Sequence, residues 1–328
     1  MYLIKKNNPF KYFKKFDYIV FFCTIILSTV GFVALYSATR VMDQKYNGNG
    51  MLKTQIIGFA LGFVICLVIT FIDYKDFKTY GIFLYAITIS LLILVLFIGK
   101  GLEEVGSRAW LSIMGVNLQP SEPAKITFII ISAIFIERLK EEPRKKAVNI
   151  VKLIAYSIIP VFLIILEPDM GTALVFLFIF AVMIFVYGIP FKYIFSVITI
   201  AIASMPFLWI YYLKPYHKDR IRVFLNPELD PMGAGFNVLQ ARIAIGSGEL
   251  WGKGFLNGTQ TQNKMVPMKW SDFIFTVIAE EFGFIISIAI IIIICIFILR
   301  GVHIAKNSRD VFGSFVAIGI VAMFAFHF

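Results

Sequence analysis

Apolar runs alternate with short polar segments along almost the whole chain. Most runs have about twenty residues, the length at which an apolar helix spans the hydrocarbon core of a bilayer. The pattern therefore predicts an all-α, polytopic membrane protein with nine spans. The predicted spans cover residues 18–39, 54–73, 80–99, 120–138, 152–167, 171–188, 191–213, 273–299 and 311–328.

One polar segment, residues 214–272, is much longer than the others. It contains glycine, asparagine and glutamine residues that could line a site, and it ends in Asp272 directly before an apolar run. We predict that residues 1–328 form one integral membrane domain, with a basic cytoplasmic leader at 1–17 and a large extracytoplasmic loop at 214–272. If the protein catalyses a reaction, we expect most of the chemistry in this loop.

Composition and charge agree with a membrane location. The chain is 59% hydrophobic and 16% charged, whereas soluble domains average about 45–50% apolar and about 25% charged residues. The net charge of +11 does not indicate a nucleic-acid partner, because the basic residues cluster between apolar runs. The positive-inside rule then places the N-terminus in the cytoplasm. The segment 214–272 is also basic, and an anionic ligand is one explanation.

Several familiar kinds of site do not fit the sequence. The three cysteines lie in apolar runs at unrelated spacings, which favours core packing over a disulfide or metal framework. The histidines are too scattered for a zinc site. The run GSGELWGKG fails the phosphate-loop pattern, since Ser247 stands at the first glycine position and Gly254 follows Lys253 where Ser or Thr is required.

Ionisable residues at the edges of apolar runs are functional candidates, because an unpaired charge in a membrane is costly. Glu122 and Lys125 are three residues apart at a helix start, so they share a face and can form an ion pair. Ser121 or Gln119 could cap the same helix. A capping arrangement with a structural ion pair explains this motif about as well as a functional role does.

Four further candidates are acidic residues later in the chain, and the two aspartates among them each allow a structural and a functional interpretation. Asp169 could cap the next helix near Thr172, or it could face a site. Asp272 could cap the helix that follows it, or it could accept a proton from an attacking hydroxyl at the water–membrane boundary. Glu280 and Glu281 lie about two turns into that helix, so we expect at least one of them to meet a partner or water.

Four ordered motifs give the chain a specific resemblance to a known family. Over essentially its whole length the chain is similar to the SEDS proteins, the RodA/FtsW/SpoVE family of peptidoglycan polymerases. The motifs are QPSEPAK at 119–125, EPDMGTALV at 167–175, NPELDPMGAGFNVLQARIAIGSGELWGKGFLNGTQTQ at 226–262 and SDFIFTVIAEEFGF at 271–284. Within the family, GKG followed by GTQ is more similar to the RodA branch than to the FtsW branch.

The resemblance implies a glycosyltransferase of the bacterial cytoplasmic membrane with a bundle of ten helices, of which about nine are present here. It implies polymerisation of lipid II on the outer face, with release of undecaprenyl pyrophosphate, during cell elongation and shape maintenance. The family motifs place the essential Asp at Asp272 and further cavity residues at Glu122, Lys125 and Asp169. The implied partners are a class B penicillin-binding protein and other membrane proteins of the elongation complex.

We hypothesise that Asp272 is the general base toward the 4-hydroxyl of an acceptor sugar, which attacks the anomeric carbon of a second lipid-linked sugar. Basic and amide side chains of the polar segment are candidates to bind the substrate and to stabilise the leaving pyrophosphate. These candidates are Arg220, Arg222, Gln240, Arg242, Lys253 and Gln260. A divalent cation, Mg or Mn, could be held by Asp272 or Asp169, although no ligand cluster is evident. No other cofactor is expected.

Two departures from the family pattern keep other functions open. The family usually reads Pro-Glu-x-His-Thr-Asp before FIF, whereas this chain reads PMKWSD at 267–272, without the Glu and the His. Family members also continue past the position of Phe328 with a further polar motif and a tenth helix, so we expect the chain to be C-terminally incomplete. A lipid II flippase would also explain the intramembrane carboxylates, and a non-catalytic scaffold for the penicillin-binding protein would explain the missing Glu and His.

Overall fold

A computed structural model describes residues 16–40, 48–101, 107–113, 116–212, 215–233 and 235–328. Most of these residues are helical. The helices are α1 (Tyr18–Arg40), α2 (Gly48–Thr70), α3 (Tyr74–Ile98), α4 (Ser121–Glu141), α5 (Lys146–Leu166), α6 (Met170–Tyr187), α7 (Phe191–Phe207), α8 (Pro215–Leu225), α9 (Phe236–Ser247), α10 (Thr259–Gln262), α11 (Ile274–Lys306) and α12 (Val311–His327). Two short strands, β1 (Leu111–Ile113) and β2 (Val116–Leu118), pair in an antiparallel arrangement, with Leu111 opposite Leu118.

Every predicted apolar run contains a helix, which confirms the all-helical architecture. Among the described residues, six helices are long and apolar enough to cross a bilayer by length and composition. Three predicted spans are not among them. The α4 helix carries charged residues at both ends, and α7 and α12 have only 17 residues each. The six are Tyr18–Arg40, Gly50–Thr70, Tyr74–Ile98, Pro143–Leu166, Met170–Tyr187 and Ile274–Lys306.

The chain forms two compact units. The first consists of Met1–Cys66 and Ser196–Phe297, and the second of Leu67–Phe195 and Ile298–Phe328. In the first unit, α1 packs against α11 through a small core of Ala34, Ile278 and Ile290. The segment predicted as a large loop lies in this unit and contains α8, α9 and α10, so much of it is regular structure; its extracytoplasmic location stays a prediction.

Helix α4 is the centre of the second unit. Its middle turns are mostly apolar on every side, as expected of a helix that is surrounded by others, and every residue from Thr127 to Glu137 is buried. Helices α3, α5, α6 and α12 pack around it. This packing explains how one end of α4 can hold Lys125 at 2% exposure, where an ammonium group requires partners.

Candidate active site

Helix α11 is broken at Gly283, which takes φ 76° and ψ −173°, a conformation that residues with side chains rarely adopt. In a continuous helix the Glu280 carbonyl would accept a hydrogen bond from the N–H of Phe284. The Glu281 carbonyl would accept one from Ile285 in the same way. The break separates both pairs, so two carbonyl groups and two N–H groups need other partners.

The glycine-rich segment 248–254 supplies those partners. Four backbone hydrogen bonds replace the broken pairs: Lys253 to Glu280 (3.0 Å), Gly254 to Glu281 (3.0 Å), Phe284 to Glu249 (2.9 Å) and Ile285 to Leu250 (3.3 Å). The close approach depends on Gly252, which has φ 80° and where a Cβ would overlap the Glu281 carbonyl. The glycines therefore close a break in a helix, which gives this run a role unrelated to nucleotide phosphates.

The Glu280 carboxylate lies inside this junction with none of its surface exposed. Its Oε1 accepts hydrogen bonds from the backbone N–H of Gln260 at 2.8 Å and from the ammonium group of Lys253 at 3.1 Å. Its Oε2 accepts from the backbone N–H of Thr261 at 2.9 Å. Two hydroxyl oxygens, of Ser247 and Thr259, lie 3.3 Å from Oε1. One carboxylate thus attaches several parts of the polar segment to α11.

The adjacent Glu281 is equally buried, at 1% exposure, but its partners are neutral. The hydroxyl of Ser37 on α1 and the side-chain amide of Gln262, at 2.8 Å, both donate to its Oε1. The expectation that at least one of the two glutamates has a partner is confirmed for both. The two side chains have different partners: Glu281 contacts Ser37 of α1 and the side chain of Gln262 at the end of α10, whereas Glu280 contacts the backbone of α10 and the ammonium group of Lys253.

Asp272 lies at the end of this segment, two residues before α11 begins. It is exposed, and no hydrogen bond or ion pair joins its carboxylate to another described residue. The interpretation of Asp272 as the cap of α11 is therefore wrong. Three residues earlier, Lys269 is 2% exposed and donates to the carbonyl of Thr261. Burial lowers the pKa of Lys269, and the nearby negative charge of Glu281 opposes that shift.

In the second unit, Lys125 joins two side chains. Its Nζ lies 2.9 Å from Oε1 of Glu122 and 3.0 Å from Nε2 of His327. The Nδ1 of His327 lies 2.7 Å from the carbonyl oxygen of Met323, so Nδ1 donates and the lone pair of Nε2 faces the ammonium group. The predicted ion pair of Glu122 and Lys125 is confirmed, and His327 is an additional partner that the sequence did not indicate.

Asp169 caps α6, as one of its two interpretations predicted. Its Oδ1 accepts from the backbone N–H of Thr172 at 3.0 Å, and its Oδ2 accepts from the Thr172 hydroxyl at 2.8 Å. The side-chain amide of Gln119 donates to the same Oδ2 at 3.3 Å. The expectation that Gln119 or Ser121 caps α4 is wrong, because Pro120 is the capping residue and no side chain caps the helix. Gln119 is directed toward Asp169 instead.

Glu167, two residues before Asp169, is a second buried carboxyl group. It is 1% exposed, and neither of its carboxylate oxygens has a hydrogen-bond partner among the described residues. Burial, together with the nearby charge of Asp169, raises the pKa of Glu167 to about 7. This turn therefore holds a proton-binding group that titrates near neutral pH.

The remaining candidate substrate-binding residues of the polar segment differ in their exposure and in whether they already form an ion pair. Arg222 forms an ion pair with Asp219 at 3.5 Å, and Lys253 is occupied by Glu280. Arg242 is exposed on α9 and forms no ion pair with a described residue. The side chain of Arg220 lies outside the described residues. The two amide candidates, Gln240 and Gln260, are half-buried.

Sequence comparison assigns the chain to a family. A family model described as a cell cycle protein of the FtsW/RodA/SpoVE type matches residues 17–328. The chain belongs to this family. Since six of its described helices are also long and apolar enough to cross a bilayer, this family member is a multi-pass membrane protein.

Individual relatives of this FtsW/RodA/SpoVE protein carry enzyme names. The probable peptidoglycan glycosyltransferase FtsW of Trichlorobacter lovleyi is 34% identical over 321 residues, covering 97% of this chain and 83% of the relative. The peptidoglycan glycosyltransferase MrdB of Escherichia coli K12 is 33% identical over 287 residues, covering 88% and 76%. A solved structure of a peptidoglycan synthase complex shares the fold, with a TM-score of 0.76, 24% identity and coverage of 94% and 83%.

The candidate residues of this family member are divided between the two units. Asp272 and the polar segment belong to the first, and Glu122, Lys125 and Asp169 belong to the second; a cavity common to both groups stays a prediction. Sequence reasoning missed the anchoring role of Glu280. A carboxylate within an apolar helix that needs a partner was the available signal, but nothing in the local pattern selected Lys253 as that partner.

A divalent cation also stays a prediction for this family member. In the part of the chain that the structure describes, no three His, Cys, Asp or Glu side chains come together as ligands. The carboxylate of Asp169 already accepts hydrogen bonds from Thr172 and Gln119. Since a hard divalent cation takes at least six oxygen ligands, these residues do not form a site on their own.

Proposed function

We propose that the chain is a peptidoglycan glycosyltransferase that polymerises lipid II, with Asp272 as its general base. The observation that carries the assignment of the base is the state of Asp272, an exposed carboxylate with no partner among the described residues. A carboxylate that is free of ion pairs can accept a proton from a substrate hydroxyl within hydrogen-bond reach. Family membership and the enzyme names of the relatives support the reaction class.

The proposed reaction exchanges one carbon–oxygen bond for another. The 4-hydroxyl oxygen of the acceptor sugar attacks the anomeric carbon of a lipid-linked donor sugar. The bond from that carbon to the pyrophosphate oxygen breaks, and undecaprenyl pyrophosphate leaves with the electron pair. The hydroxyl proton passes to the carboxylate of Asp272 as the new bond forms.

The leaving pyrophosphate is already anionic, so cationic side chains stabilise its departure more effectively than an acid would. Arg242 suits this role best, because it is exposed and forms no ion pair with a described residue. Arg222 would exchange its partner Asp219 for the ligand, a small cost for an exposed pair. Lys253 is less suitable, since Glu280 already neutralises its charge.

The proposed setting is the bacterial cytoplasmic membrane, with the N-terminus inside and the segment 214–272 outside. The GKG and GTQ sequences favour a role in elongation and cell shape, although relatives named FtsW and MrdB are almost equally identical to the chain. A class B penicillin-binding protein is the proposed partner. The support for this partner is the fold that the chain shares with a solved peptidoglycan synthase complex, which coordinates polymerisation and crosslinking.

The test is polymerisation of fluorescently labelled lipid II by the purified protein, alone and with its cognate penicillin-binding protein. Loss of a general base lowers the rate by about 10²–10⁴-fold, so Asp272→Asn should form no detectable polymer while it purifies like the wild type. Asp76→Asn is the matched control, because Asp76 is also an exposed aspartate, in the first turn of α3. We expect it to retain full activity.

A well-folded Asp272→Asn variant with normal polymerisation would refute the role of Asp272. A wild-type protein that makes no polymer, even with its partner, would reject the glycosyltransferase and favour the flippase or the scaffold. Translocation of labelled lipid II across vesicles would then distinguish those two.

A further inference from the structure

We propose that the ion pair of the buried Glu280 and the half-buried Lys253 positions Asp272, by holding the segment that carries this residue against α11. The inference rests on the proposed function, in which Asp272 is the general base. Neither Glu280 nor Lys253 needs to contact the substrate for this role. They are positioning residues that act through the backbone of the segment.

A continuous series of contacts leads from Glu280 toward Asp272. The Glu280 carboxylate accepts hydrogen bonds from the backbone N–H groups of Gln260 and Thr261, at 2.8 and 2.9 Å. The carbonyl of Thr261 accepts a hydrogen bond from the buried ammonium group of Lys269. Lys269 precedes Asp272 by three residues, in the turn that leads into α11. The turn is therefore attached to α10, and α10 is attached to Glu280.

The second connection runs through Lys253. Its Nζ contacts Oε1 of Glu280 at 3.1 Å and the hydroxyls of Ser247 and Thr259. The backbone N–H of Lys253 also donates to the carbonyl of Glu280 at 3.0 Å. Lys253 thus ties the end of α9 and the start of α10 to the same residue of α11, just before the helix break.

A carboxylate is required at position 280, because both of its oxygens accept from backbone N–H groups. A glutamine has a single acceptor oxygen, and its NH₂ group would face one of the two N–H donors. One backbone N–H would then be buried without an acceptor, and the ammonium of Lys253 would lose its counter-charge. The segment should shift or loosen as a result.

Glu281 provides a matched control from the same turn of the same helix. It is buried to the same degree, at 1% exposure compared with 0% for Glu280. Its partners Ser37 and Gln262 both donate to a single oxygen, Oε1. Because a glutamine oxygen can accept both of these bonds, Glu281→Gln should preserve its hydrogen bonds. The charges of Glu280 and Glu281 both act on Lys269, so each variant removes one negative charge near Lys269, and only Glu280→Gln also removes an acceptor for a backbone N–H.

The experiment compares steady-state polymerisation of labelled lipid II by wild type, Glu280→Gln and Glu281→Gln. We expect kcat of Glu280→Gln to fall by about 10–100-fold with KM within threefold, because displacement of a catalytic group by about 1 Å can cost 10²-fold in rate. Glu281→Gln should keep both constants within threefold of the wild type. Hydrogen exchange of the backbone at 259–272 should accelerate in Glu280→Gln and not in Glu281→Gln.

A double variant, Glu280→Gln with Lys253→Met, keeps the test valid if the single variant folds poorly. It removes both charges together, so no unpaired cation remains, but it still leaves one backbone N–H without its acceptor. We expect it to purify as a monodisperse protein and to retain the loss in kcat.

Each outcome has one meaning. A low kcat with an unchanged KM and faster exchange, confined to variants of position 280, supports the positioning role. Wild-type kcat in Glu280→Gln, or an equal loss in Glu281→Gln, overturns the positioning role and leaves the glycosyltransferase intact. An inactive wild type instead overturns the proposed function, and the positioning role with it.

Discussion

Replacement of Glu167 by glutamine should change how the stability of the protein depends on pH. Glu167 is 1% exposed, and its carboxylate oxygens have no hydrogen-bond partner among the described residues. Its pKa is raised to about 7 from an ordinary value of 4.5, chiefly by burial and further by the charge of Asp169. The ionised form is therefore disfavoured in the folded protein.

The sign and size of the effect follow from proton linkage. Between pH 4.5 and about 7 the folded protein holds a proton that the unfolded chain has released, so the free energy of unfolding falls as pH rises. The slope is about 1.4 kcal/mol per pH unit where this difference is complete. When this slope is integrated from pH 5 to pH 8, the contribution of Glu167 to the free energy of unfolding falls by about 2.5 kcal/mol.

The assay is reversible unfolding of the purified protein in mixed micelles, followed by circular dichroism at pH 5 and pH 8. Other titrating groups contribute equally to both proteins, so the quantity of interest is the difference between Glu167→Gln and wild type. That difference should shift in favour of the variant by about 2.5 kcal/mol between the two pH values. Glu141→Gln, at the exposed end of α4, is the control and should show no such shift.

A constant difference between Glu167→Gln and wild type at the two pH values would refute this reasoning. It would mean that the Glu167 carboxyl keeps its hydration or gains a cation when the protein folds. A shift of opposite sign, with the variant losing relative stability as pH rises, would require that the carboxylate is stabilised by a partner.

Two further predictions concern the glycine junction and the cap of α6. Gly252→Ala should lower the free energy of unfolding, measured by denaturation, by roughly 1–3 kcal/mol. The reason is that the φ of Gly252 is 80° and the new Cβ would overlap the Glu281 carbonyl. The control is Gly246→Ala, which should lose no stability because a Cβ at this position meets nothing within 4 Å. Asp169→Ala should cost about 1 kcal/mol through loss of the cap, and Asp169→Ser should restore most of it. If the carboxylate of Asp169 also serves the site, the serine variant will be stable but slow in lipid II polymerisation, whereas wild-type activity would limit Asp169 to capping.

The sequence predicted the helices well because each apolar run is a local property. A run of about twenty apolar residues must become a helix in lipid, whatever it packs against. The ion pair of Glu122 and Lys125 and the cap at Asp169 were predictable for the same reason, since their partners are three residues away. The strands β1 and β2 were not predicted, because strands of three residues carry too little alternation to be recognised.

The sequence by itself determined that this is a helical membrane protein of the FtsW/RodA/SpoVE family and that Asp272 is the candidate base. Only the tertiary structure decided how that aspartate is held. The break at Gly283, its closure by the segment 248–254 and the contacts of Glu280 join residues from separate elements. Ser37 and Glu281, for example, are 244 residues apart in the chain. Buried carboxylates must find donors somewhere, but local sequence patterns do not specify which distant residues the fold brings to them.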